Sequence, residues 1–74
     1  MVMSETTLQI CLNGDPIECR AGLSLLQLLE QRGYKPQLVV VEFNGEILPR
    51  VRWTDQPVRE ADAVEVVTIV GGGS

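Results

Sequence analysis

The chain has 74 residues, 45% of them hydrophobic, and its ten acidic and six basic residues give a net charge of −4. This length predicts one domain, near the lower limit at which a hydrophobic core is sufficient without disulfides or metals. The excess of acidic residues argues against binding to a nucleic acid backbone and favours a partner protein with a basic surface.

The first half of the chain opens with a predicted hairpin. Residues 6–12 alternate apolar and polar side chains, as a half-buried strand does. Residues 13–16 read Asn-Gly-Asp-Pro, which suits a tight turn, and residues 17–20 return as a second strand.

A helix follows the hairpin. Ser24 and Gln27 have the spacing of a capping box, in which each side chain bonds the other residue's backbone N–H. Gly33 is well placed to end the helix in the left-handed conformation. The apolar face of this helix is formed by leucines, namely Leu25, Leu28 and Leu29, with Leu26 on the flank.

The second half predicts strands separated by one irregular crossing. Residues 38–43 are rich in β-branched side chains, which favours a strand, and the Asn-Gly pair at 44–45 marks a second tight turn. Residues 46–50 return as a short strand. Residues 50–58 form an irregular or single-turn helical crossing, and residues 64–70 form the last strand.

These elements together predict an α+β fold of the ubiquitin-like β-grasp type, a mixed sheet of four to five strands with one helix packed across it. A right-handed crossover through the helix places the fifth strand beside the first and the third strand at an edge. We expect a single domain over residues 1–74, ending in a flexible glycine tail at residues 71–74.

The two cysteines and the lack of long apolar stretches predict the cellular compartment of the protein. Cys11 is out of phase with the apolar residues of the first strand, whereas Cys19 shares the phase of Ile17, so the two thiols should lie on opposite faces. They cannot then form a disulfide, which favours a reducing compartment. No stretch of about 18 apolar residues and no signal-peptide pattern is present, so we expect a cytoplasmic protein without membrane contact.

The side chains offer little for catalysis. Histidine is absent, no residue cluster suits a metal, and the carboxylates are spread along predicted turns and strand faces. We therefore expect that the chain is not an enzyme and binds no cofactor. The remaining reactive group is the chain terminus, because an activated glycine carboxylate can accept an amine, a thiol or a sulfide. On composition alone, Gly-Gly-Gly-Ser is also typical of a flexible linker or a cloning remnant.

Three motifs occur in order along the second half of the chain. They are residues 41–46 (Val-Glu-Phe-Asn-Gly-Glu), residues 49–53 (Pro-Arg-Val-Arg-Trp) and residues 70–73 (Val-Gly-Gly-Gly). The combination resembles the ThiS family, the sulfur carrier proteins of thiamine biosynthesis. This resemblance implies a β-grasp fold whose functional group is a C-terminal glycine carboxylate.

The resemblance also implies roles for the tail residues and for partners. It makes Gly73 the acceptor of sulfur and Gly71 and Gly72 its slender stalk. An E1-like adenylyltransferase of the ThiF type, using ATP and Mg, would adenylate Gly73. A sulfur donor such as a cysteine desulfurase would supply the thiocarboxylate sulfur, and a thiazole synthase of the ThiG type would receive it. Ser74 departs from the family pattern: a peptidase removes it, or it is a cloning remnant, or the chain is inactive as written.

Four residues outside the tail are predicted to contact partners. Val67 and Ile69 are out of phase with the inward-facing residues of the last strand, so they form an exposed apolar patch unless another element covers them. Glu42 and Arg50 are expected to contact the activating enzyme. Trp53 is instead expected to fill the core, with its N–H bonded locally.

Two alternatives to the thiamine sulfur carrier stay open at this point. The small subunit of molybdopterin synthase shares the fold, tail and chemistry, although the crossing at residues 50–63 is short for that family. A ubiquitin-like binding module would use its surface and not its tail. A ferredoxin is excluded, because two cysteines on opposite faces cannot supply the four ligands of an iron–sulfur cluster.

Overall fold

Five strands, one α-helix and two 3₁₀ helices make up residues 6–69, the part of the chain that the computed structural model describes. Residues 1–5 and 70–74 lie outside the described part, and so does the predicted tail at residues 71–74. The elements in chain order are β1 (Thr7–Leu12), β2 (Asp15–Arg20), α1 (Leu25–Gln31), a 3₁₀ helix (Pro36–Leu38), β3 (Val39–Phe43), β4 (Glu46–Ile47), a second 3₁₀ helix (Arg50–Asp55) and β5 (Ala63–Thr68).

The N-terminal hairpin has the register that its alternation predicts. Ile10 of β1 lies opposite Ile17 of β2, and Leu8 lies opposite Cys19. Cys19 is therefore buried on the apolar face of the hairpin, whereas Cys11 is half-buried on the other face, and both thiols are free. The prediction that these two cysteines cannot pair is confirmed.

Helix α1 begins with the predicted capping box. The Gln27 N–H donates to Ser24 Oγ at 3.2 Å, and the Ser24 N–H donates to Gln27 Oε1 at 2.9 Å. Gly33, with φ of 88°, follows the C-cap residue and ends the helix in the left-handed region. The three predicted leucines of the apolar face are fully buried, and the flanking leucine is half-buried.

The second hairpin is short, and the chain leaves it through the predicted crossing. β4 has only two residues, because Pro49 soon follows and proline has no N–H to donate to a sheet. In the 3₁₀ helix that follows, Trp53 is 1% exposed and its Nε1–H donates to the Leu48 carbonyl at 2.9 Å. The prediction that Trp53 fills the core with a local hydrogen-bond partner is confirmed.

The sheet has the order β2-β1-β5-β3-β4, with β1 and β5 parallel and the other neighbours antiparallel. The prediction that the fifth strand lies beside the first is confirmed. The prediction that the third strand lies at an edge is wrong, because β4 pairs with its outer side through Glu42–Ile47 and Phe43–Glu46. The last strand is thus the central strand, and it joins the two hairpins.

The core fills the space between one face of the sheet and α1. Its buried members are aliphatic apart from Cys19 and Trp53, and Leu48 and Phe43 pack at its margin. In the described residues no buried side-chain nitrogen or oxygen lacks a hydrogen-bond partner. Within residues 6–69, no helix packs on the other face of the sheet. Core residues that the sheet contributes are Ile10, Leu12, Cys19, Val39, Val41, Val64 and Val66.

Candidate functional site

The uncovered face of the sheet carries the predicted apolar patch. Val64 and Val66 of β5 point to the core, so Glu65, Val67 and Ile69 point the other way. Val67 is 60% exposed and Ile69 is 46% exposed. No element within residues 6–69 covers these two side chains, which the phase of the strand alone could not show.

Strand β3 extends this patch sideways. Val40 lies directly opposite Val67, and the Ile69 N–H donates to the Leu38 carbonyl at 2.6 Å. Both Val40 and Leu38 are exposed. These four residues, Leu38, Val40, Val67 and Ile69, are called the open-face patch below. Exposed apolar side chains that adjoin one another in this way are typical of a surface that binds a partner.

A pair of carboxylates lies next to the open-face patch. Glu42 and Glu65 are directly opposite each other on β3 and β5, and each is two residues along its strand from a valine of the patch. Both are exposed, and Ile47 of β4 lies on the far side of Glu42. Like charges directly opposite on a sheet are destabilising. The pair therefore favours a partner with a positive charge at this position.

Arg50, the other predicted contact, is not part of this cluster. It begins the second 3₁₀ helix, beyond β4 and Pro49 at the edge of the sheet, and is exposed. Among residues 6–69 it makes no ion pair or hydrogen bond through its guanidinium. The structure thus brings together Val67, Ile69 and Glu42, while Arg50 lies to one side of them.

Asn13 connects the N-terminal hairpin to the middle of β5, just after the point where β1 ends. Its backbone N–H donates to the Val64 carbonyl at 2.8 Å, and its Oδ1 accepts from the Val66 N–H at 2.7 Å. Its Nδ2 donates to the Tyr34 hydroxyl at 3.2 Å. Sequence reasoning assigned Asn13 only to the turn. The positive φ of 52° that suits a turn also aims this side chain at β5.

The described residues hold little that resembles an enzyme centre. No group of three or more His, Cys, Asp or Glu side chains within residues 6–69 is placed to hold a metal ion. Burial raises the pKa of the Cys19 thiol above its ordinary value of 9.0; nearby Arg32 opposes this shift and Glu60 adds to it. A protonated, buried thiol is a poor nucleophile. No helix in this part of the chain is long and apolar enough to cross a membrane.

The predicted sulfur acceptor Gly73 and its stalk, Gly71 and Gly72, lie outside the described residues, as does Ser74. What the structure describes is the strand that leads to them. β5 runs from the centre of the sheet past the open-face patch toward residue 70.

The sheet order, the single helix across one face and the central last strand define a ubiquitin-like β-grasp domain. Comparison with solved structures agrees: a crystal structure of the thiamine biosynthesis protein ThiS from Geobacter metallireducens has a TM-score of 0.73 and 33% identity, covering 89% of this chain and 100% of that one.

Sequence comparison identifies the family within this fold class. The ThiS family model matches residues 10–73, so the chain belongs to the ThiS family. The sulfur carrier protein ThiS of Thermus thermophilus is 36% identical over 86% of this chain and 98% of its own length. A thiazole synthase of Magnetococcus marinus is 38% identical over 89% of this chain, which corresponds to 20% of that longer protein.

Proposed function

We propose that this chain is the sulfur carrier for thiazole formation in thiamine biosynthesis, and that it acts as a co-substrate of partner enzymes and not as an enzyme. The observation that carries the proposal is the position of β5: it is the central strand of the sheet, its last residues adjoin an exposed apolar patch, and Gly71, Gly72 and Gly73 follow it closely in the sequence. Membership of the ThiS family supports it.

The chemistry takes place at the carboxylate of Gly73. With Ser74 removed, an E1-like adenylyltransferase of the ThiF type joins this carboxylate to the α-phosphate of Mg-bound ATP and releases pyrophosphate. A donor such as a cysteine desulfurase then supplies sulfur as a persulfide, whose terminal sulfur attacks the acyl-adenylate, displaces AMP and forms an acyl disulfide. A second thiol cleaves the S–S bond of this acyl disulfide, is itself oxidised to a disulfide with the donor's cysteine, and leaves the thiocarboxylate on Gly73. The family match ends at residue 73, which supports Gly73 as the acceptor.

Glycine suits this tail for a steric reason. Without a Cβ, the stalk can pass through a narrow channel that side chains would block. Four extended residues after Ile69 reach about 13 Å at roughly 3.3 Å per residue. That length brings the carboxylate of Gly73 into a partner's active site while the folded domain stays outside.

The folded domain supplies recognition in this proposal. The open-face patch loses water on docking, and each exposed valine or isoleucine that becomes fully buried contributes about 1–2 kcal/mol. The carboxylates of Glu42 and Glu65 select a partner with a basic group at the matching position. Arg50 contacts the same activating enzyme from the edge of the sheet.

The proposed recipient of the sulfur is a thiazole synthase of the ThiG type. The support is that a protein named thiazole synthase contains a segment similar to nearly the whole of this chain. A domain joined to an enzyme in one protein is a natural partner of that enzyme's relatives when the two are separate. We propose a cytoplasmic location for this exchange, because the two free cysteines suit a reducing compartment.

The test uses three forms of the protein: one ending at Gly73, one ending at Ser74, and one ending at Ile69. Each is incubated with a ThiF-type enzyme and MgATP, and pyrophosphate exchange and intact mass are measured. We expect adenylation only of the form ending at Gly73, followed by exchange of one terminal oxygen for sulfur when a donor is added.

Two results would contradict the proposal. If the form ending at Gly73 gives no adenylate, the carrier function is wrong. If the form ending at Ile69 restores thiamine-independent growth to a host lacking its own carrier, the tail is dispensable and the domain is a binding module.

A further inference from the structure

The two edges of β5 differ in how far they are paired. On one side, β3 accompanies β5 along its whole length, from Phe43 opposite Val64 to Val39 opposite Thr68. On the other side, β1 pairs with β5 only at Ala63 and Val64. The chain of β1 then turns away into the hairpin, so within residues 6–69 the second half of β5 has no strand on this side.

The hydrogen bonds at both ends of the β3–β5 pair show which backbone groups of β5 point away from β3, toward the side on which β1 stops. The Ile69 N–H donates to Leu38, and the Ala63 carbonyl accepts from the Asn44 N–H. Because bonding alternates along an antiparallel pair, odd-numbered residues of β5 bond β3 and even-numbered residues face away from it.

Asn13 provides hydrogen-bond partners for two of the backbone groups on this side of β5. It bonds the Val64 carbonyl and the Val66 N–H. The next groups along this edge are the Val66 carbonyl and then the N–H and carbonyl of Thr68, and no residue of β1 or its turn reaches them. These three groups are called the free edge of β5 below.

The free edge differs from the two outer edges of the sheet in how it is protected. β2 carries Pro16 and charged side chains, and β4 is only two residues long with Pro49 close behind it. Proline, charge and shortness are the devices by which natural sheets prevent another strand from pairing with an edge. The free edge has none of them, since Val66 and Thr68 are uncharged β-branched residues that favour strands.

We propose that the free edge of β5 binds an extended segment of the adenylating protein that receives the tail, which adds to the sheet as a strand. This inference rests on the proposed carrier function. Alternating N–H and carbonyl groups of the partner's backbone would pair with the Val66 carbonyl and with both backbone groups of Thr68. Gly73 is five residues after Thr68, about 17 Å of extended chain, so a strand held here fixes the start of the tail close to its target.

Amide hydrogen exchange gives the first test, with Val67 as an internal control on the same strand. In the isolated protein the Thr68 amide should exchange fast and the Val67 amide slowly, because only the latter faces β3. Adding a ThiF-type enzyme should slow the exchange of Thr68 by about tenfold or more. Slow exchange of Thr68 in the isolated protein, or fast exchange in the formed complex, would overturn the proposal.

Substitution at Thr68 gives the second test. Thr68→Pro removes the N–H on the free side and leaves the bonds to β3, so it should fold and bind the enzyme at least about tenfold more weakly. Thr68→Val keeps the N–H and should bind within about twofold of the unaltered chain. If the proline variant does not fold, an ester at the 67–68 peptide bond, introduced by ligating a synthetic C-terminal segment, replaces the Thr68 N–H with oxygen and keeps the side chain and the extended backbone. The ester also weakens the Val67 carbonyl as an acceptor toward β3, so its folding is checked first; a loss of about fivefold in binding is expected.

These measurements separate the two proposals. If the unaltered chain is adenylated and the proline or ester form binds as tightly as the valine form, the strand addition is wrong and the carrier function stands. If the unaltered chain ending at Gly73 is not adenylated, the carrier function fails and the proposed partner of the free edge fails with it.

Discussion

Ala61 gives the sharpest test of the fold, because its backbone conformation is unfavourable for alanine. It has φ of 71°, in the turn that leads into β5. The other two non-glycine residues with positive φ in the described part of the chain are asparagines, which tolerate this region. We expect Ala61→Gly to increase the free energy of unfolding.

The magnitude follows from two opposing effects. The left-handed region costs a residue with a Cβ about 1–2 kcal/mol, and glycine removes that cost. Glycine also loses about 0.5–1 kcal/mol more in backbone entropy on folding. We expect the turn to keep its shape in the variant, because the residue 61 N–H donates to the Gln9 carbonyl at 2.8 Å and Ala61 is exposed, so removing its methyl group leaves no buried cavity. The net gain is about 0.5–1 kcal/mol.

Urea unfolding followed by the fluorescence of Trp53, the only tryptophan, measures this difference. Ala63→Gly is the matched control: Ala63 is exposed on β5, so the same substitution two residues away should lower the free energy of unfolding by about 0.5–1 kcal/mol. The melting temperatures should move by about 2–8 °C in opposite directions. If Ala61→Gly lowers stability as Ala63→Gly does, the reasoning from backbone strain is refuted.

Three further predictions concern the surface pair, the buried thiol and the helix cap. Glu65→Gln should raise the free energy of unfolding by about 0.2–1 kcal/mol in low salt, by removing the repulsion from Glu42, and an unchanged value would show that the charges do not interact. Because burial raises the pKa of the Cys19 thiol above 9.0, the folded state holds this proton more firmly than the unfolded state does. The contribution of Cys19 to stability should therefore be complete well below pH 9.0 and be lost as the pH rises above it, so the fall in stability should be smaller in Cys19→Ala. A thiol reagent should also modify Cys11 before Cys19 in the native protein. Ser24→Ala should cost about 1 kcal/mol and Ser24→Gly only a few tenths by urea unfolding, and equal costs would argue against the capping bond.

Local patterns in the sequence predicted most of the individual elements. The hairpin register, the capping box and the end of the helix at Gly33 depend on residues close in sequence, so their signals are complete within a few positions. The facing of Val67 and Ile69 followed from the alternation of β5 in the same way. Trp53 could be assigned to the core because a lone tryptophan in a small domain has few other places to lie.

What the sequence could not predict depends on how strands meet. The tight turn at 44–45 predicted that a short strand returns after β3, but β4 has only two residues, too few for an alternation to show that it covers the outer edge of β3, so β3 was placed at the edge. Glu65 became a candidate only when the register placed it opposite Glu42. The free edge depends on where β1 stops relative to β5, and no local pattern records that. The sequence did not predict the positive φ of Ala61 either, because alanine rarely adopts a positive φ.

The central position of β5 has a mechanical consequence. In the proposed carrier function, a partner that draws the tail into its active site would pull on the end of β5. A pull along the axis of the strand would load the hydrogen bonds between β5 and β3 together in shear, and the bonds to β1 at Ala63 and Val64 would hold the start of the strand. If the proposed function is right, the domain would stay folded while a partner holds its tail under tension, because the load would be shared along the whole β3–β5 pair before it reaches β1.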